Sequence, residues 1–135
     1  MSNLSPVEVR DSIYTLLREN FTRCPVAWAN RKFDPDTEAL NGYWIKPNIL
    51  MGNTEEGEVG LEGLSFRNGV LKIQVFGPKN GGNRDTWVTA GSLEAIYRRE
   101  VYNCIVFDEP RSNEIGAGDR HYQLVVDIPF TVLTE

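Results

Sequence analysis

Residues 121–133 read HYQLVVDIPFTVL and form the most regular strand pattern in the chain. Gln123, Asp127 and Thr131 lie on the polar face of this pattern. Strict alternation of this kind predicts a strand with one buried and one wetter face. Pro129 has no backbone N–H, so we expect a sheet edge or a bulge near it. The buried face is predicted to comprise Tyr122, Leu124, Val126, Ile128, Phe130 and Val132.

The segment before this strand predicts one short strand and one long loop. Cys104 to Phe107 is an apolar run, whereas residues 108–120 contain Pro110 and the stretch GAGD at 116–119. Glycine and proline at this density are typical of turns and loops. We therefore predict a strand at 104–107 and an irregular connection at 108–120.

A helix is predicted upstream, after a glycine-rich segment. The sequence GPKNGGNR at 77–84 is irregular by composition, and Asp85 or Thr86 provides an N-cap after it. Gly91 costs this helix about 1 kcal/mol relative to alanine, so we expect it to permit close packing on the sheet. The apolar stripe comprises Val88, Leu93, Ile96, Tyr97 and Val101, with Trp87 at its start.

A hairpin and a further strand are predicted before the glycine-rich segment. Asn68-Gly69 separates two alternating runs, and this dipeptide is the strongest short-range signal of a two-residue turn. Residues 43–51 also alternate, with Pro47 in phase, which favours a strand at a sheet edge or with a bulge. Residues 52–57, GNTEEG, are predicted to form a polar break between these strands.

An amphipathic helix is predicted from Pro6 to near Phe21. Ser5 fits an N-cap, Pro6 the first helical position, and Glu8 closes a capping box. The apolar positions recur at helical spacing and comprise Val9, Ile13, Leu16, Leu17 and Phe21.

The order of elements predicts one α+β domain spanning residues 1–135. After the first helix, residues 26–28 predict a short strand and residues 30–42 a loop. Two helices are too few to cover both faces of the sheet. We therefore expect a mixed, mainly antiparallel sheet of about 5–6 strands, with both helices on one face, plus extended loops or a hairpin. The second face is left open or used for association.

Composition excludes several classes of protein. A net charge of −5 does not favour charge-driven binding of nucleic acid. The groups Arg10, Arg18, Arg23 and Arg98, Arg99 are interpreted as solvated faces. Two cysteines imply neither a disulfide framework nor a zinc site. Without an apolar stretch of about 18 residues or a signal segment, we expect a protein made in the cytosol and not in a membrane.

No constellation of reactive groups is apparent in the sequence. Gly82-Asn83-Arg84-Asp85 lacks the Gly-Lys-Ser/Thr that a phosphate-binding loop requires. We predict no catalytic residue, no cofactor and no metal ligand. One alternative is a small enzyme that uses His121, the single histidine, with Asp119 or Asp127 as its partner. Another is a ligand-binding pocket lined by Trp28, Tyr43 and Trp87.

Several stretches together resemble a known family over nearly the whole chain. The distinctive pieces are V-x-W-x-N at 26–30, VFGPKNGGNRDTW at 75–87 and Y-x-x-x-V-x-I-P-F at 122–130. The opening helix VEVRDSIYTLLRENF and the extended segment YWIKPNILMG occur in the matching order. The chain resembles the tail terminator, or tail completion, proteins of long-tailed phages and prophages. This group includes the lambda-type minor tail protein U and a phage-associated domain of formerly unknown function.

The resemblance implies a structural, non-catalytic role at the head-proximal end of a phage tail. Proteins of this family form a hexameric ring on the last ring of the tail tube and stop its growth. The tape measure protein sets that length, and the other face of the ring docks to the head–tail connector. DNA passes through the channel without specific binding, and no membrane is involved. The protein is expected in the virion, and in the host cytoplasm during assembly.

Subunit and partner contacts are predicted in three loops, at 52–60, 77–84 and 108–120. Such loops can become ordered against a neighbour. Another head–tail joining protein or a tail tube protein is an alternative within phage assembly. The candidate interface residues are Asn53, Glu55, Glu56, Lys79, Asn80, Asn83, Arg84, Arg111, Asn113 and Glu114.

Overall fold

A six-stranded antiparallel sheet organises the fold in the computed structural model, which describes residues 5–29, 31–39, 42–56, 65–118 and 121–134. The predicted α+β class is confirmed. The elements of this part of the chain are α1 Pro6–Asn20, α2 Pro35–Glu38, β1 Trp44–Glu56, β2 Ser65–Pro78, α3 Arg84–Tyr97, β3 Val101–Tyr102, β4 Ile105–Phe107, β5 Arg111–Ala117 and β6 His121–Thr134.

β6 is a central strand of the sheet. The strand order is β1-β2-β6-β4-β3, and β5 also pairs with β6. β2 pairs with β6 along the whole of its length, whereas β4 pairs with residues 130–132 and β5 with residues 122–127 of β6. The two shorter strands therefore lie end to end along the second side of β6.

The helix α1 begins with the predicted capping box. The Ser5 hydroxyl accepts from the backbone N–H of Glu8 at 3.2 Å, and the Glu8 carboxylate accepts from the N–H of Ser5 at 2.9 Å. The hydrogen bond from the backbone N–H of Ser5, followed by the interaction of the Ser5 hydroxyl with the carboxylate, lowers the pKa of Glu8. None of the helices in the described ranges is both long enough and apolar enough to cross a membrane.

The core lies between one face of the sheet and the two long helices. Tyr97 of α3 is fully buried, and its hydroxyl donates to the carbonyl of Ile13 in α1 at 2.9 Å. The helices therefore pack against each other on one face of the sheet, as predicted. Tyr122, expected on this buried face, is only half-buried. The strand residues of the core include Ile45, Leu71, Ile73, Val75, Leu124, Val126, Ile128, Phe130 and Val132.

The hairpin turn predicted at Asn68-Gly69 is wrong, because both residues lie inside β2. Gly69 pairs with Met51 on one side and with Phe130 on the other. A Cβ placed at Gly69 would lie 2.4 Å from the Phe130 ring carbon Cζ and 2.8 Å from the Leu50 carbonyl oxygen. Glycine is required here by close packing within a strand and not by a turn.

Two predicted irregular segments contain strand. The polar break expected at 52–57 is wrong as far as residue 56, because β1 continues through it after a bulge between Met51 and Thr54. The loop expected at 108–120 contains β5, which has a second bulge between Glu114 and Gly116. A bulge adds a residue to one strand, so it disturbs the alternation from which a strand is predicted.

Other boundaries and roles also differ from those predicted. The helix α3 begins at Arg84 and ends at Tyr97, so Val101 belongs to β3 instead of the helix. Gly91 is exposed, and a Cβ at that position would meet no atom within 4 Å, so it does not serve close packing. The strand predicted at 26–28 is a single parallel bridge from Val26 to Ile45, and the loop predicted at 30–42 contains α2.

The two strand prolines occupy different environments. Pro47 lies in β1, which is an edge strand, as predicted. Pro129 lies in the central strand β6, so the predicted edge position is wrong. Its carbonyl accepts from the N–H of Asp108 at 2.8 Å, and the nitrogen of a strand residue points the same way as its carbonyl. The missing N–H therefore faces the gap between β4 and β5, where β6 pairs with neither strand.

Candidate interaction surfaces

The structure places the candidate interface residues at three sites. Asn53, Glu55 and Glu56 belong to the last part of β1, and the 57–60 part of that segment lies outside the described residues. The other seven residues lie in the turn between β2 and α3, at the start of α3, and in β5. Lys79 and Asn80 form the turn after β2, Asn83 and Arg84 lie at the start of α3, and Arg111, Asn113 and Glu114 belong to β5.

Two of these predicted residues are brought together across the start of α3. The Asn83 side-chain amide donates to the Glu114 carboxylate at 2.8 Å, instead of capping the helix. The Tyr122 hydroxyl donates to the same carboxylate. The hydrogen bond from Tyr122, followed by that from Asn83, lowers the pKa of Glu114. Burial, followed by the hydrogen bond to Glu114, raises the pKa of Tyr122.

We define the α3–β5 edge as the surface formed by α3, by β5 and by Arg98 and Glu109, which lie beside these two elements. Ser112 donates to the Glu94 carboxylate, which links β5 to α3. Arg98 reaches both Glu94, at 2.6 Å, and Glu109, at 3.1 Å. Along its other side β5 pairs with no strand of the described part of the chain. The exposed side chains of this edge include the apolar Trp87, Val88 and Ile115 and the acidic Glu109 and Glu114.

A cleft lies at the opposite edge of the sheet, outside α1. Its walls carry Arg10, Arg18 and Arg31 around Tyr14 and Trp28, and its volume is about 300 Å³. The Tyr14 and Trp28 rings are in contact, with centroids 5.0 Å apart. We call this site the arginine cleft. The sequence does not predict this site in full. Arg31 follows the short strand predicted at 26–28, and no local pattern in the sequence places it beside α1.

The arginines of the cleft differ in how they are held. The Arg10 guanidinium lies 5.2 Å from the Tyr14 ring centroid and pairs with Asp11 at 2.6 Å. Arg18 has a 3.5 Å contact with the Thr15 hydroxyl. Arg23, which the sequence grouped with Arg10 and Arg18, instead donates to Thr89 of α3 at 3.3 Å.

An aromatic cluster covers one end of the second face of the sheet. Trp44 stacks on Phe76 with ring centroids 3.9 Å apart, and Phe33 packs on Trp44 at 5.1 Å. His121 meets the Trp44 and Phe76 rings edge-on at 6.0 and 6.2 Å. This cluster partly closes a face that the sequence left open.

The structure does not place Asp127 close enough to His121 to form the catalytic pair that the enzyme alternative requires. His121 and Asp127 lie six residues apart on one strand, which separates them by about 20 Å. Asp127 pairs instead with Lys72 at 3.6 Å, and Asp119 lies outside the described residues. Burial raises the pKa of the Cys24 thiol to about 11, which disfavours the reactive thiolate.

The ligand-pocket alternative requires three aromatic side chains, of which the fold places Trp28 and Trp87 on different elements. Trp28 packs on Tyr14 beside β1, whereas Trp87 lies on the α3–β5 edge. The Tyr43 hydroxyl donates to Asp85 at the start of α3, at 3.3 Å. Trp28 lines the arginine cleft, whereas Tyr43 lies beside the start of α3.

Comparison with known proteins identifies both the fold and the family. One solved structure, whose description states no function, superposes with a TM-score of 0.70 at 17% identity. The match covers 98% of this chain and 97% of that one, which establishes a shared fold. No curated protein matches the sequence. The family model described as phage tail terminator protein matches residues 8–130. The chain therefore belongs to the phage tail terminator family.

Proposed function

We propose that this protein forms a ring of six copies that caps the tail tube and stops its polymerisation. The observation that carries this proposal is the family match over residues 8–130, which makes the chain a structural component of a phage tail. In the proposed role, one face of the ring binds the last ring of tube protein. The other face provides the surface to which the head–tail connector attaches.

The geometry of the chain supports contacts between different surfaces of neighbouring copies. A cyclic ring of six uses heterologous contacts, in which one patch of each subunit meets another patch of the next. The two lateral edges of this sheet are unlike in composition, since one carries the arginine cleft and the other the exposed β5 strand. Unlike edges fit a head-to-tail ring better than a two-fold dimer.

The proposed partners are copies of the chain, the tail tube protein, the connector and the tape measure protein. DNA passes through the ring without specific binding. Six copies of a chain with net charge −5 sum to about −30, which disfavours adhesion of DNA to the channel. The proposed location is the head-proximal end of the tail in the virion, after assembly in the host cytoplasm. No bond-making chemistry is part of this function.

The test is the mass of the purified protein across a concentration series, together with negative-stain images. The proposal predicts one discrete species of six copies that appears as closed rings at high concentration. A tail tube protein, by contrast, would form filaments of indefinite length without any other component. Filaments would therefore contradict the proposal and favour the tube alternative.

A second experiment tests termination in the phage itself. Particles assembled without this protein are expected to have tails longer than the wild-type length and not joined to heads. Complementation with the wild-type chain should restore tails of one length. Normal tails firmly joined to heads in its absence would contradict the proposed function.

A further inference from the structure

We propose that the arginine cleft is the binding site for the α3–β5 edge of a neighbouring copy. This inference rests on the proposed function and names the two surfaces that meet in the ring. It assigns a role to Arg10, Arg18 and Arg31 of one subunit and to Glu109, Glu114 and Ile115 of the next.

The two surfaces lie on opposite sides of the β2–β6 pair, because β1 pairs with the outer side of β2 and β5 with the outer side of β6. Residues 25–27 bond to the outer edge of β1, where Ala27 N–H donates to the Ile45 carbonyl at 2.8 Å. Trp28 follows at once and forms a wall of the cleft. The α3–β5 edge lies beyond β6, on the side away from β1 and β2. A subunit that presents one surface on each side can contact two neighbours at once, as a ring requires.

The two surfaces differ in the sign of their net charge, because α3, β5 and the adjoining Arg98 and Glu109 together carry four acidic and three basic side chains, a net charge of −1. The cleft carries three arginines and one aspartate, so its net charge is +2. The Arg31 side chain has no ion-pair partner among the described residues. On the other edge, the side chain of Glu109 is 62% exposed even with Arg98 beside it. Complementary charges of this kind fix the register of an interface and suppress wrong pairings.

The apolar groups of the two surfaces also fit a subunit contact. Ile115 is 60% exposed and Trp87 is 40% exposed, both on the α3–β5 edge. Across the proposed interface, Trp28 and Tyr14 offer an aromatic wall flanked by guanidinium groups. Tryptophan, tyrosine and arginine are the residues that most often carry binding energy at protein interfaces. An exposed edge strand with an apolar side chain is otherwise a liability in a free monomer.

A charge-swap experiment tests this contact. Arg18→Glu and Glu109→Arg each place like charges across the interface, and each should raise the concentration for half-assembly about tenfold or more. The double variant Arg18→Glu/Glu109→Arg restores opposite charges and should recover most of that loss. Lys46→Glu is the matched control, because it makes an equal charge change at an exposed position next to the buried Ile45, on the face of β1 away from α1, and it should assemble as the wild type does.

The possible results distinguish failure of this subunit contact from failure of the proposed function. Thermal melting of each variant must match the wild type within about 3 °C, since surface substitutions seldom change stability by more than about 0.5 kcal/mol. Rings that form normally with Arg18→Glu, or a double variant no better than the single ones, would overturn the contact and leave the ring intact. A wild-type chain that remains monomeric at every concentration would overturn the contact, whereas tail length in the phage decides the function independently.

Discussion

Single glycines show how much one position contributes to this fold. Gly69 lies under the Phe130 ring in the middle of β2, and no Cβ fits there without movement of the ring or the backbone. We expect Gly69→Ala to lower the free energy of unfolding by about 1–3 kcal/mol, because overpacking forces strain on a close-packed core. Urea unfolding measures this loss. Unchanged stability would contradict the packing described for Gly69.

Gly91 provides the opposite case within the same chain. It is exposed in the middle of α3, and a Cβ there meets nothing. Gly91→Ala is expected to raise the free energy of unfolding by about 0.5–1 kcal/mol, since alanine loses less backbone entropy in a helix. The same urea titration compares both variants. A destabilised Gly91→Ala protein would show that the surface of α3 is packed in a way the monomer does not reveal.

The carboxylate of Glu114 is expected to make the stability of the fold depend on pH. Its folded pKa is lowered by hydrogen bonds from Tyr122 and Asn83, so its contribution to stability is present above the ordinary carboxyl pKa of about 4.3 and is lost as pH falls through the folded pKa. We expect the urea midpoint of the wild type to fall more between pH 6 and pH 3 than that of Glu114→Gln. Equal slopes for the two proteins would contradict this assignment.

At the scale of elements, one buried hydroxyl joins the two long helices. Tyr97 of α3 donates to the Ile13 carbonyl of α1 across the core. Tyr97→Phe should lower the free energy of unfolding by about 1 kcal/mol, the usual net contribution of such a hydrogen bond. Tyr102→Phe is the control, because the Tyr102 side chain is half-buried and forms no hydrogen bond within the described ranges. Equal losses in both variants would contradict the proposed link.

The elements also show what the sequence predicts well and what it does not. The α1 capping box and the alternation of β6 were predicted correctly, because both signals are local. The turn at Asn68-Gly69 was not, because the need for glycine arises from Phe130, which lies 61 positions away in the chain. β5 was missed because its pattern is polar and bulged, and its pairing with β6 is tertiary information.

For the candidate surfaces too, local groupings of residues were predicted from the sequence and contacts between distant segments were not. The sequence predicts Asn83 and Glu114 in two separate loops, whereas the fold joins them through one hydrogen bond. The sequence also groups Arg10 and Arg18 with Arg23, whereas in the fold Arg31 lines the cleft with them and Arg23 bonds to Thr89. Contacts between neighbours on one helix can be read from periodicity, whereas contacts between elements depend on the sheet order.

The function proposed for the protein depends on association between its copies and with the tail tube. Membership of the tail terminator family supports the proposed ring, and the two unlike edges of the sheet fit the heterologous contacts that such a ring uses. Exposed edge strands favour continued pairing unless a partner covers them. A ring that covers its own lateral edges leaves no lateral surface from which growth can continue.

The most direct measurement is the length of tail tubes assembled from purified tube protein with and without this chain. The account predicts that the added chain halts elongation and appears as a single ring at one end of each tube. The concentration needed should be close to that of tube ends and far below that of tube subunits. Tubes that reach the same length with or without the chain, or that incorporate it along their walls, would contradict the claim that it terminates the tail.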